Sequence, residues 1–90
     1  MYLKDEYVWC DRNHKYLTLE EIDNKYLLNI LNFILRGGGY VDEMSEESIK
    51  RLFNEANKRK LKHKFKLKQL LDMFYYKVEH EGMIDWAGLD

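Results

Sequence analysis

Ninety residues suit one small domain, which buries only about 60–65% of the surface its unfolded chain exposes, so a multidomain enzyme is excluded and self-association would add stability. Hydrophobic residues make up 46% of the chain and aromatic residues 14%, enough for a packed core and too much for a disordered polar segment. The net charge of −1 hides a segregation that excludes naming a partner by charge alone: residues 1–47 hold five basic and ten acidic side chains, residues 48–77 ten and two, residues 78–90 none and four.

The opening "MYLKDEYVWCDR" carries charges where a signal peptide needs an apolar run, and the single cysteine, Cys10, cannot close an internal disulfide. Both features suit a reducing cytosol. Residues 7–10 and 15–17 are β-prone runs around "DRNH", where Asp11 and Asn13 supply turn chemistry and Asn13 tolerates a left-handed backbone. A β-hairpin is predicted over residues 7–17.

Thr18 with Glu21 has the spacing of a capping box, and Leu17 with Ile22 that of a hydrophobic staple, so a first helix is predicted from Leu19 to about Arg36. Gly37, Gly38 and Gly39 end it, since glycine reaches the left-handed cap conformation without steric cost. They do not form a phosphate loop, because they follow a helix and lack the Gly-Lys-Ser/Thr ending. Apolar residues from Tyr26 to Leu35 nearly encircle this helix, broken by Asn29 and Asn32, which predicts burial on several sides. Central packing would satisfy that demand; so would a homo-oligomer interface built from Leu27, Leu28, Leu31, Asn32 and Leu35. The two asparagines lie on one wet stripe or bond to a neighbouring backbone; otherwise they line a ligand pocket, Asn29 beside Tyr26, or specify an oligomer contact. The run "YLLNILNFIL" spans ten residues where a membrane helix needs about 20, so no membrane partner is expected.

Ser45, with Glu46 and Glu47 in the first turn, opens a second helix over residues 45–59, with Ile49, Leu52, Phe53 and Ala56 on one face. Leu67, Leu70, Leu71 and Phe74 repeat that spacing in a third helix over residues 66–81. The phase would permit one helix of roughly 54 Å, which is long for a domain of this size. However, Leu61, His63, Phe65 and Leu67 alternate with lysines at a strand period, which favours a break into an extended segment. In that form Lys60, Lys62, Lys64, Lys66 and Lys68 share one face at intervals of about 6.6 Å. Such a ridge is a protected edge or an anion-binding surface, the latter with Arg59, Lys60, Lys62, Lys64 and Lys66 as its candidate residues. In the tail, Gly82 would cap the last helix and Met83, Ile84 and Trp86 would pack on the core. The expected fold is therefore α+β: an N-terminal β-hairpin on about three helices, mostly helical, in one domain.

No catalytic constellation is visible. His14, His63 and His80 are scattered without paired cysteines, and Cys10 lies in a strand-like run where a small buried hydrophobe is expected. A non-enzymatic protein without metal or cofactor is the expectation.

The order "YVW", polar turn, "LTLEEIDNKYLLNILNFI" and "EANKRKL" resembles small uncharacterised proteins of phages and prophages of Gram-positive bacteria. Trp9, Asp23, Tyr26, Leu27, Asn29, Glu55, Ala56 and Arg59 occupy the matching positions, while Lys60 stands where that pattern often has glycine. The resemblance brings no known activity. It implies a phage accessory protein that blocks a host process, most plausibly a defence system, by binding a defence protein or a nucleotide signal. A nucleic-acid-binding regulator using the lysine segment and a virion structural or assembly protein are the alternatives.

Overall fold

The computed structural model describes residues 6–80, so the predicted packing of Gly82, Met83, Ile84 and Trp86 lies outside the described residues. Two short strands, β1 (Trp9–Cys10) and β2 (Tyr16–Leu17), pair antiparallel with Trp9 opposite Leu17 and Cys10 opposite Tyr16. Their turn is organised by Asp11, whose Oδ1 accepts hydrogen bonds from the backbone N–H of Asn13 (2.8 Å) and Lys15 (3.0 Å). Because that carboxylate already fixes the Asn13 amide, the left-handed conformation falls on His14, with φ 62°, and not on Asn13 as expected.

The first helix begins later than its capping box predicts. Glu21 accepts from the backbone N–H and the hydroxyl of Thr18 at 2.9 and 3.2 Å, but this closes only a 3-10 turn over Leu19–Glu21. Ile22 then adopts an extended backbone and turns its side chain into the core. Asp23 supplies the effective cap, accepting the Tyr26 N–H at 2.7 Å, and α1 runs over Asn24–Leu35. It ends in a Schellman motif: Gly37 is left-handed at φ 88°, its N–H bonds to the Ile34 carbonyl, and the Gly38 N–H bonds to that of Phe33.

Helix α2 (Glu46–Lys58) starts where the sequence places it, the backbone N–H of Ser45 and that of Ser48 each donating to the other's hydroxyl oxygen at 3.0 Å. It stops in a second Schellman motif, in which the Lys60 N–H bonds to the Asn57 carbonyl and that of Leu61 to Ala56. Lys60 sits in the left-handed region at φ 59°, a conformation glycine normally takes. Residues 61–66 follow without helix, half-buried Leu61, His63 and Phe65 alternating with exposed Lys62, Lys64 and Lys66. Helix α3 (Leu67–His80) completes the fold. The predicted break is therefore present, and no single helix joins α2 to α3.

The three helices pack against one another and the hairpin closes the core beside them, giving the expected α+β arrangement. Leu27, Ile30, Leu31 and Ile34 of α1 meet Ile49, Leu52 and Ala56 of α2 and Leu70 and Phe74 of α3 in one buried cluster. Each large aliphatic side chain so buried contributes about 1.5–3 kcal/mol. Of the expected interface residues, Leu27 and Leu31 are thus inside the chain's own core; Leu28 and Leu35 are half-buried and Asn32 is exposed. Lys77 of α3 is only 1% exposed, and its Nζ donates to the Gly39 carbonyl at 2.6 Å, fastening α3 to the triglycine loop. Among the described residues no helix is long and apolar enough to cross a membrane.

A candidate ligand groove between the hairpin and the first helix

The spacing of α1 sets one wall of the groove. Tyr26, Asn29, Ile30 and Phe33 recur at three- and four-residue intervals, so they share one helix face, and this face looks across to Trp9, Cys10, Asp11 and Arg12 of the hairpin. Arg36, the three glycines and Tyr40 complete the lining. The groove is open to solvent and holds about 890 Å³, in the range of ligand-sized sites.

The triglycine loop lies close against the aromatic wall because Gly38 and Gly39 lack side chains. A Cβ on Gly38 would fall 2.5 Å from the Phe33 ring, and one on Gly39 would fall 2.5 Å from Met44 Sδ and 3.3 Å from Trp9. Beneath the loop Trp9 and Phe33 meet edge to face, with centroids 6.2 Å apart. Trp9 is 5% exposed and belongs to the core, whereas Phe33 is 48% exposed and presents ring surface to the groove. Tyr40, 44% exposed, stacks on His14 from the hairpin turn at 5.3 Å.

Two titratable groups in the lining are held in their protonated forms. Burial, then the nearby Asp11 carboxylate, hold the Tyr26 hydroxyl above its ordinary value, against a hydrogen bond from Trp9 that works the other way, so this hydroxyl stays a protonated donor. Burial raises the Cys10 thiol as well, helped by Glu43 and Asp11, and its Sγ donates to the Asp11 carbonyl at 3.6 Å. Held as a thiol, Cys10 is a poor nucleophile. Arg12 and Arg36 are exposed and their side chains have no hydrogen-bond or ion-pair partner among the described residues, so their guanidinium groups are available to an anion. The described residues hold no cluster of three or more His, Cys, Asp or Glu arranged for a metal.

Of the binding residues expected from sequence, Tyr26 and Asn29 are brought together here; the basic ones lie elsewhere. Arg59 is a clasp between the end of α2 and the start of α1. Its Nε donates to Glu55 at 2.8 Å, Nη1 to the Ile22 carbonyl at 2.8 Å and to Asn24 Oδ1 at 3.1 Å, and Nη2 to the Leu19 carbonyl at 3.0 Å. Four of its five donors are therefore committed within the protein. Lys60 serves the α2 cap, and Lys62, Lys64 and Lys66 stand exposed on the extended segment. His63 anchors that segment from below, with Nε2 2.9 Å from Asn57 Oδ1, Nδ1 accepting the Phe65 N–H at 3.1 Å, and its ring stacked on Phe65. Sequence reasoning missed Arg12, Phe33, Arg36 and Tyr40. The continuation of the Tyr26–Asn29–Phe33 spacing to Arg36 was the available signal for two of them.

No protein-family model, curated protein or solved structure matches this chain.

Proposed function

We propose that the chain is a non-enzymatic binding protein of the phage accessory type, working in the cytoplasm of a bacterial host and blocking a host process, foremost a defence system, by stoichiometric capture of a small anionic signal. The observation that carries this reading is the groove: about 890 Å³, flanked by two arginines without partners among the described residues and faced by exposed aromatic rings. Its one thiol is held protonated, which favours binding over covalent chemistry. The resemblance to small phage proteins supports the setting. In a homo-oligomer, the α1 surface open to a second copy would comprise Leu28, Asn32 and Leu35.

A second reading, nucleic-acid binding, is favoured by the exposure of Lys62, Lys64 and Lys66 at alternate positions. With the Lys60 side chain exposed beside these three, the log–log salt slope on duplex DNA would be about −3 to −4. Calorimetric titration with small phosphorylated compounds and with short duplex DNA, at two salt concentrations, separates the two. Loss of binding on Arg12→Ala or Arg36→Ala, with the Lys62/Lys64/Lys66 triple alanine variant unaffected, supports groove capture. The opposite pattern supports the nucleic-acid reading.

A further inference from the structure

The geometry points to a purine nucleotide as the ligand of this groove, its base edge read by Asn29 and its phosphate held by Arg12 and Arg36. The inference rests on the groove reading above and narrows the ligand from small anions to one chemical class.

Four features converge on it. Arg12 and Arg36 present planar guanidinium groups from two different segments, and this group grips a phosphate through two parallel hydrogen bonds where an ammonium offers a point charge. Phe33 and Tyr40, 48% and 44% exposed, line the same groove as those arginines, and the Phe33 ring and the Tyr40 face not stacked on His14 offer π surface to a flat ligand. Asn29 lies one turn before Phe33 on the same face of α1, exposed, with no hydrogen-bond partner among the described residues. Its amide offers one donor and one acceptor side by side, which is the complement of the N6–N7 edge of adenine. Asp11 commits Oδ1 to the turn amides of Asn13 and Lys15, leaving Oδ2 as an acceptor for a sugar hydroxyl or an exocyclic amine.

The same set disfavours the simpler anions. Inorganic phosphate or polyphosphate would use the arginines but would leave the rings, the Asn29 amide and the Asp11 acceptor without function. An aromatic carboxylate would use the rings and one arginine, and has no edge for the amide. A nucleotide engages all four features, and a groove of about 890 Å³ has room for base, sugar and phosphate.

The test is isothermal titration of the full chain with adenosine monophosphate, adenosine, ribose 5-phosphate and inorganic phosphate. Adenosine monophosphate should bind one to one, with adenosine and ribose 5-phosphate each weaker by about tenfold or more, since each lacks one of the anchoring halves. Asn29→Ala should weaken adenosine monophosphate by about tenfold and leave ribose 5-phosphate unchanged, because only the base meets the amide. Arg36→Ala should weaken both. Both residues are exposed, so unchanged melting temperatures will show that the variants fold. Ribose 5-phosphate or inorganic phosphate binding as tightly as the nucleotide, or an Asn29→Ala variant that binds the nucleotide as the parent does, would overturn the purine assignment and leave small-anion capture standing. Absence of binding by all four compounds would overturn both.

Discussion

Replacing Arg59 with alanine tests whether its guanidinium is a structural clasp or a free anion-binding group. The substitution removes four hydrogen bonds, one to Glu55 within α2 and three that tie the C-terminal end of α2 to the turn before α1 and its first residue. Their energies do not add. The Leu19 carbonyl keeps a second donor, the Ile22 N–H at 3.2 Å, so its loss is small. The greater cost falls on the Glu55 carboxylate, only 18% exposed at its side chain, and on the Ile22 carbonyl, both deprived of a charged donor. A hydrogen bond to a charged group is worth about 1.5–3 kcal/mol, which places the net loss near 3 kcal/mol for these partly buried acceptors taken together. At about 4–8 °C per kcal/mol for a domain of this size, the melting temperature should fall by roughly 12–24 °C. Urea and thermal unfolding followed by circular dichroism would measure it. Arg59→Lys should recover less than half of the loss, because a single ammonium cannot span acceptors on two chain segments. An Arg59→Ala variant within about 0.5 kcal/mol of the parent, the range of ordinary surface changes, would refute the clasp. If that variant also lost anion binding, Arg59 would be the ligand residue that its place beside the lysine ridge suggests.

Lys60→Gly should stabilise the protein by about 0.5–1 kcal/mol in the same unfolding assay, since glycine removes the steric cost of φ 59° at the α2 cap against a smaller loss of chain entropy. Gly39→Ala should destabilise by about 2–4 kcal/mol, combining a left-handed φ of 98° with a Cβ placed 2.5 Å from Met44 Sδ, and the variant's Tm would report it. Glu21 is held below the ordinary carboxyl value of 4.5, chiefly by the Thr18 backbone N–H, so its ionised form stabilises the folded state above that pH and the contribution disappears as acid takes the pH down through the lowered value. The Tm difference between the parent and Glu21→Gln should therefore be constant above about pH 5.5 and shrink toward zero below pH 4.

Local chemistry made much of this fold readable in advance. The hairpin, the Ser45 start of α2, the stop at Arg59 and the strand-like alternation of residues 61–66 all follow from residues that act on their near neighbours. The start of α1 misled because two capping signals lie five residues apart, and Ile22 reaches the core by breaking the helix between them. What remained hidden depends on distant partners. The carbonyls that Arg59 holds lie 37 and 40 residues away, and Lys77 is buried because the Gly39 carbonyl, 38 residues away, receives it. Nothing in the pattern of either helix distinguishes these cations from the solvated ones beside them. Asn29 could be named as a site residue since it interrupts an apolar helix, and Tyr26 as its neighbour one turn earlier. Arg12 and Tyr40 could not, because they join that face only once the hairpin and the triglycine loop fold against α1.

Chemical-shift mapping on 15N-labelled protein titrated with adenosine monophosphate tests the groove most directly, since it reports position as well as binding. The account predicts saturable shifts for the backbone amides of Arg12, Asn29, Arg36 and Tyr40 and for the Asn29 side-chain amide, with Lys62, Lys64 and Lys66 unmoved. Shifts confined to residues 60–68, or no shifts at millimolar nucleotide, would contradict it.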